Sequence, residues 1–260
     1  MYKIIITTTL LASTVLSDDI AVSDVEGTYG AGVKTEALKG LQQGINLGFA
    51  NTTGNTETLT LNGKYTLGYS TEGYASKILN IAFNASAYLT KSNDVTDNEE
   101  YSLNLGLEQY ITDNNWLAYA NASWLRNTFR NFDNKLLIGA GVGKELFNDN
   151  QHILKAKVGI AYNIESYTNN QDDHKFTSLT EYIEYDNILN KTSLLYIKFG
   201  ASENFDDFND YELLAVAGFN FTVAENLNVT IEEEVRYDKI PPVGFNTTDT
   251  KSIVRVGYSF

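Results

Sequence analysis

Two histidines, His152 and His174, are the imidazoles this 260-residue chain can offer to acid–base chemistry, and it holds no cysteine. The missing thiols exclude disulfides, thiolate metal sites and a cysteine nucleophile. His174 closes the run Asp172-Asp173-His174-Lys175. An Asp-x-His pair can activate water for hydrolysis when a second acidic pair faces it, but Asp206-Asp207 has the wrong spacing. A lipase needs a His–Ser pair on an outer wall, and neither histidine is placed for one. A solvated acidic loop is the simpler account. Asp94, Asp97, Glu99 and Glu100, with Asp206, Asp207 and Asp210, are hard oxygen donors for Ca²⁺ or Mg²⁺. No run among them matches a defined calcium loop. These acids suit divalent cations held at exposed loops. No cofactor is expected, and a formal charge of −14 argues against nucleic-acid partners.

A second set of charges is spaced differently. Lys64, Glu108, Lys155, Lys157, Lys198, Glu212, Glu232, Glu234, Arg236 and Arg255 all fall on the polar side of segments that alternate at period two. Arg255 can face Glu232 or Glu234 on the preceding segment, and Lys198 and Glu212 lie on adjacent segments. If the alternating segments close into a barrel, these ten residues line its lumen. Full pairing would plug the barrel; incomplete pairing would leave an aqueous, mixed-charge path.

The elements that carry them read as strands. Ile45, Leu47 and Phe49 alternate with Gly44, Asn46 and Gly48, and similar runs recur to the end of the chain. They are the two-residue period of a sheet with unlike faces. In one run Trp116, Ala118, Ala120, Ala122 and Trp124 share a face. The two rings stand eight positions apart, about 26 Å along a strand, which suits one ring near each membrane interface. Glu181 and Glu233 interrupt the apolar side of their runs. About twelve strands are counted. Connections alternate between short ones, around 113–115, 148–150, 187–191 and 224–226, and long ones, at 91–99, 127–134, 168–174, 203–209 and 239–249. Pro241-Pro242 falls in the longest. The expected fold is an all-β, transmembrane, antiparallel up-and-down barrel over residues 41–260, with a soluble periplasmic β-sandwich as the rival.

The two ends fit that reading. Residues 1–17 have a basic start, an apolar run too short to span a bilayer as a helix, and a small residue at Ser17, as in a secretory signal peptide. Residues 18–40 are acidic and lack a clear period, and are expected to form a periplasmic leader. Val254, Val256, Tyr258 and Phe260 alternate up to the final residue, a pattern that resembles the assembly signal of bacterial outer-membrane barrels.

The hairpin Gly44-Ile45-Asn46-Leu47-Gly48-Phe49 followed by Thr53-Gly54-Asn55-Thr56-Glu57-Thr58 resembles the opening of the salt-induced outer-membrane proteins (YdiY-like), a bacterial domain of unknown function. Gly54-Asn55 is suited to the positive φ of a tight hairpin. The resemblance implies a barrel in the cell outer membrane and a role in envelope or salt-stress adaptation, and it supplies no catalytic residues. The combined expectation is a non-enzymatic, monomeric outer-membrane barrel, surrounded by lipid and lipopolysaccharide and inserted by the barrel-assembly machinery. It would serve as a narrow passive channel for small solutes. The alternatives are a closed structural or adhesive barrel and, remotely, an outer-membrane hydrolase.

Overall fold

Strict alternation gives each strand one apolar and one polar face, and the fold turns the polar one inward. The computed structural model describes residues 23–33, 40–53, 58–92, 95–169 and 171–260. Within them lie twelve strands: β1 (Leu41–Thr53), β2 (Thr58–Glu72), β3 (Ile78–Ser92), β4 (Val95–Tyr110), β5 (Trp116–Asn127), β6 (Phe132–Asn148), β7 (His152–Tyr167), β8 (His174–Asn190), β9 (Ser193–Asn204), β10 (Tyr211–Ala224), β11 (Leu227–Asp238) and β12 (Thr248–Ser259). Each strand pairs antiparallel with its chain neighbours, and β1 pairs with β12 to close the barrel. The closing ladder runs from Gly44 opposite Ser259 to Thr53 opposite Thr250. Closure satisfies the backbone N–H and C=O groups that an open edge would leave to lipid.

The faces decide between the two folds considered. Leu61 is 74% exposed, Leu47 64% and Ile160 58%, all on the outer surface, whereas Asn46, Asn84, Thr66 and Asn163 are buried. A soluble sandwich would reverse this, so that rival is overturned. Glu181 and Glu233 do interrupt the outer face; Glu233 accepts a hydrogen bond from Ser252 on β12.

One rim carries the short connections and the ends of the barrel domain, near Gly40 and Phe260; the other carries the longer loops. They are called here the terminus-side and loop-side rims. Some expected loops prove shorter. The connection expected at 91–99 is largely strand, because β3 runs on to Ser92 and β4 starts at Val95, with a register shift at Thr90/Lys91 that lets the ladder continue. Between β5 and β6 lies a single 3-10 turn, Thr128–Arg130, closed by Asn131 in the left-handed region. Asn tolerates that conformation better than most residues.

The largest departure is at the start. Residues 23–33, expected within a periplasmic leader, lie inside the barrel. They contain a five-residue helix, α1 (Asp24–Thr28), capped by Ser23, whose hydroxyl accepts from the Glu26 amide at 3.3 Å. Val25, Tyr29, Ala31 and Val33 are nearly inaccessible. The physical reason is complementarity: the wall offers apolar niches and cations that this short acidic segment satisfies. The expected signal peptide (1–17), residues 18–22 and 34–39, and Gly54-Asn55 lie outside the described residues.

Candidate functional site

The site is the lumen, and its filling is best followed from the wall inward. Inward positions on β3, β5, β7 and neighbouring strands are mostly Asn, Ser, Thr, Gly and charged residues, too short on several strands to meet across a twelve-stranded barrel. The amino-terminal segment fills the remaining space. Val25 and Tyr29 pack with Leu137, Ala161, Tyr182, Tyr196, Leu214 and Val216. Ala31 and Val33 pack with Ala82, Leu117 and Tyr119. Leu117 is the second residue of β5 and Lys251 the fourth of β12, so the segment runs from Asp24, on the loop-side half, to Val33, nearer the terminus-side rim.

The fit is close enough to dictate residue size. A Cβ at Gly106 on β4 would collide with the Ala31 carbonyl, and one at Gly200 on β9 would enter the Tyr29 ring. On the plug, a Cβ at Gly27 would lie 2.7 Å from the Asn104 amide nitrogen. Beside the plug remains a cavity of about 30 Å³ lined by Asp24, Tyr29, Lys135 and Glu212 among others. That is room for about one water.

Polar contacts fix the plug at several heights. Asp24 takes Lys251 at 3.3 Å and Lys64 at 3.6 Å. Glu26 pairs with Lys198, which also holds Glu184 at 2.9 Å. Lys157 donates to the Gly30 carbonyl at 2.6 Å, and Asn121 to the Thr28 carbonyl at 2.6 Å. The Tyr29 hydroxyl donates to Glu212 at 3.3 Å. Burial opposes the charge on Asp24, but Lys251 and Lys64 outweigh it and hold the carboxyl well below the ordinary carboxylate range.

The ten charges expected in the lumen are all on the inner face. Lys64, Glu108, Lys155, Lys157, Lys198, Glu232, Glu234 and Arg255 are buried, and Glu212 and Arg236 are partly so. Glu108 bridges Lys155 at 2.9 Å and Lys157 at 2.6 Å. Arg255 pairs with Glu232, one of the two partners expected, and also donates to the Tyr88 hydroxyl at 2.9 Å. Arg236 lies 3.5 Å from Glu234. The expected Lys198–Glu212 pair does not form. The register sets Lys198 opposite Val216 and Glu184, while Glu212 faces Ser202 and Asp238. Glu212 instead binds Arg130 and Lys135, each at 2.9 Å.

Sequence reasoning missed Glu100, Arg130, Lys135, Glu165, Glu184, Asp238 and Lys251 on the inside, together with Asp24 and Glu26. Arg130 swings in from the Thr128–Arg130 turn to reach Asp238 at 2.9 Å and Asp249 at 3.5 Å. A signal for the plug does exist: Ser23-Asp24-Val25-Glu26 has the S-x-x-E form of a helix-start capping box.

Each rim of the barrel carries an open cavity. At the loop-side rim a cavity of about 420 Å³ is bounded by Lys135, Glu165, Tyr167, His174, Tyr211 and Pro241-Pro242, among others. At the terminus-side rim one of about 590 Å³ is bounded by Lys77, Tyr110, Asp113 and Glu145, among others.

The residues considered for chemistry are spread apart. His152 is at the terminus-side end of β7, its Nδ1 2.8 Å from the Tyr185 hydroxyl. His174 opens β8 at the opposite rim, stacked on Phe176 and 3.9 Å from Glu165. Among the acids considered for cations, Glu99 pairs with Arg126 at 2.9 Å and Glu100 turns inward to Lys251 at 2.9 Å. Asp207 accepts from Asn209 and Asp210 from Asn204. Among the described residues no group of three or more His, Asp or Glu is placed to hold a metal ion. The side chains of Asp94 and Asp97 are outside the description.

A closed barrel with an even strand number, an apolar outer face and a polar interior is an outer-membrane β-barrel of porin-like fold. A family model described as "Protein of unknown function, DUF481" matches residues 45–260, and the chain belongs to that family. The uncharacterized protein YdiY of Escherichia coli K12 is 23% identical over 225 residues, 86% of this chain and 84% of the relative. An outer-membrane channel from Pseudomonas putida F1 superposes with a TM-score of 0.55 at 10% identity, covering 86% of this chain and 97% of that one. The NanC porin gives 0.52 at 9% identity, covering 82% and 98%. Outer membrane phospholipase A of Escherichia coli gives 0.52 at 12%, covering 83% and 92%. At these identities the likeness is one of fold.

Proposed function

We propose that the protein is a passive, non-enzymatic channel of the outer membrane, held shut by its own amino-terminal segment. One observation carries this reading: the middle of the lumen, between cavities of several hundred Å³ at the two rims, is filled in large part by a segment that is not part of the wall. A wall that sealed itself would need no inserted segment. Val33 is the last described plug residue and β1 begins at Leu41, so the plug is joined to the barrel by a short run of chain and nothing in the ladder has to break for it to leave. With the plug in place solutes do not pass; with it displaced, size and the mixed-charge wall select what does. On this reading the terminus-side rim is periplasmic and the loop-side rim faces out.

The test is planar-bilayer conductance of the whole chain against a variant lacking residues 23–33. The intact protein should be silent or conduct in rare openings, and the deletion should conduct steadily. A second reading, a permanently closed structural barrel, draws support from the close fit of Gly106 and Gly200 to the plug. It predicts no current from the intact chain under any condition.

The remaining parts of this reading rest on sequence and fold type. The outward side chains Val256, Tyr258 and Phe260, with Val254, serve as the assembly signal, so replacing Phe260 should lower the amount of folded barrel in membranes. A monomer in contact with lipid and lipopolysaccharide suits the apolar outer wall, and detergent-phase sedimentation checks the monomer. A place in salt or envelope adaptation rests on the family resemblance. Growth of a deletion strain in raised salt, indistinguishable from its parent, would remove it.

A further inference from the structure

The plug is acidic where the wall is basic, and the pairing defines what the open passage would select. Residues 23–33 contain two carboxylates, Asp24 and Glu26, and no lysine or arginine. Glu26 is buried and Asp24 partly buried against lysines from three strands: Lys64 of β2 and Lys251 of β12 around Asp24, and Lys198 of β9 at Glu26. A fourth, Lys157 of β7, is occupied by the Gly30 carbonyl. The plug therefore lends four wall ammonium groups an acceptor each, at a level where the cavity left over is about 30 Å³.

We infer that the plug stands in for the solute, and that the unplugged passage selects small anions, above all those carrying two carboxylates. This inference rests on the channel reading above. When the segment leaves, the constriction loses two negative charges and no positive one. Lys251 keeps the wall carboxylates Glu100 at 2.9 Å and Glu234 at 3.9 Å, Lys198 keeps Glu184 at 2.9 Å, and Lys157 keeps Glu108 at 2.6 Å. Those contacts exist in the plugged state too, so departure of the plug makes the constriction more positive by two charges than it is when sealed. A dicarboxylate can restore the contacts that Asp24 and Glu26 made; a dication meets the same lysines with repulsion. The loop-side vestibule, with Glu165, Glu212 and Asp238 at its edge, is acidic and opposes anions at entry. Its charges are already shared with Lys135 and Arg130, and mobile ions screen open water over about 8 Å at physiological salt. The level where Lys64, Lys198 and Lys251 converge therefore decides selectivity.

Reversal potentials in a KCl gradient test this on two proteins: the variant lacking residues 23–33, and the full chain carrying Asp24→Asn with Glu26→Gln, which keeps the length of the plug but removes the two ion-pair anchors that hold it in the lumen. Heat-modifiable migration checks that each barrel is folded. Both should pass chloride several-fold better than potassium. Succinate should reduce the chloride current at concentrations where putrescine does not, and Lys64→Gln with Lys198→Gln in the deletion background should remove both the preference and the succinate block. Current that is unselective, prefers potassium, or is blocked by putrescine rather than succinate overturns the inference and leaves the channel standing. No current from either folded variant overturns the channel reading, and the inference falls with it.

Discussion

Two acid–base clusters in this barrel use the same chemistry at different depths. At the loop-side rim Arg126 bridges Glu99 and Asp133, with all three side chains roughly a third exposed. Inside, Glu108 bridges Lys155 and Lys157, and none of the three has measurable side-chain exposure. Water screens the first cluster and takes over if a partner is lost. The second has no such reserve, so each ion there depends on its neighbours. The barrel thus resembles a protein turned outside in, with specificity stored in buried polar contacts and the apolar residues given to lipid.

The largest expected effect comes from breaking the inner cluster. Glu108→Gln leaves two lysines sharing a neutral amide in a dry site, and should cost about 3–5 kcal/mol or prevent assembly. Urea unfolding of the refolded barrel measures it, and a loss below about 1 kcal/mol would show that water reaches Glu108. Next is a change in how the plug is held rather than in the wall. Gly106→Leu places side-chain atoms where Ala31 now sits. It should expel the segment and open conductance while the barrel keeps its heat-modifiable migration; a silent channel would mean the wall can bulge to accommodate it.

Acidity sharpens the contrast further. Asp24 lies in α1, inside the lumen but not in a spanning strand, and its folded pKa is lowered by Lys251 and Lys64 despite its burial. A lowered value means its contribution to the seal is complete above the ordinary aspartate pKa, about 3.9, and is lost only as pH falls through the lower folded value. The intact chain should therefore stay closed from neutral pH down to about pH 4. An Asp24 carboxyl whose infrared band shows it protonating with a midpoint near pH 6 would contradict the ion pairs drawn for it. The smallest effect is Arg126→Ala at the rim, roughly 0–1 kcal/mol in the same unfolding assay and smaller still in high salt.

How far this was legible in the sequence depends on what kind of signal each part leaves. The wall is local. Leu136, Ile138 and Ala140 alternate with Lys135, Leu137 and Gly139, so the chain itself shows which side meets lipid. The lumen face was therefore readable for Lys155, Lys157 and Arg255 without knowing their partners. Partner choice depends on register: the β9–β10 ladder sets Lys198 opposite Val216 rather than Glu212, and the β8–β9 ladder sets it opposite Glu184. Arg130 was hidden because it reaches the lumen from a turn, and a turn has no period. The plug left least trace. Its burial comes from a surface assembled by strands far away in sequence, and eleven residues with three glycines and two acids look like a solvated leader. The capping box at Ser23 marks a helix start but not where that helix goes.

The central claim is that residues 23–33 occupy the lumen, and proximity tests it most directly. A Cβ at Gly27 would lie 2.9 Å from Asn104 Cγ, which brings the two Cβ atoms within the reach of a disulfide, about 3.5–4.5 Å. The chain has no cysteine of its own, so Gly27→Cys with Asn104→Cys adds a single pair. In the folded barrel mild oxidation should form the bond nearly quantitatively, with neither thiol open to a water-soluble maleimide beforehand. Failure to cross-link, with both thiols labelled at once, would place the amino-terminal segment outside the barrel and contradict the account.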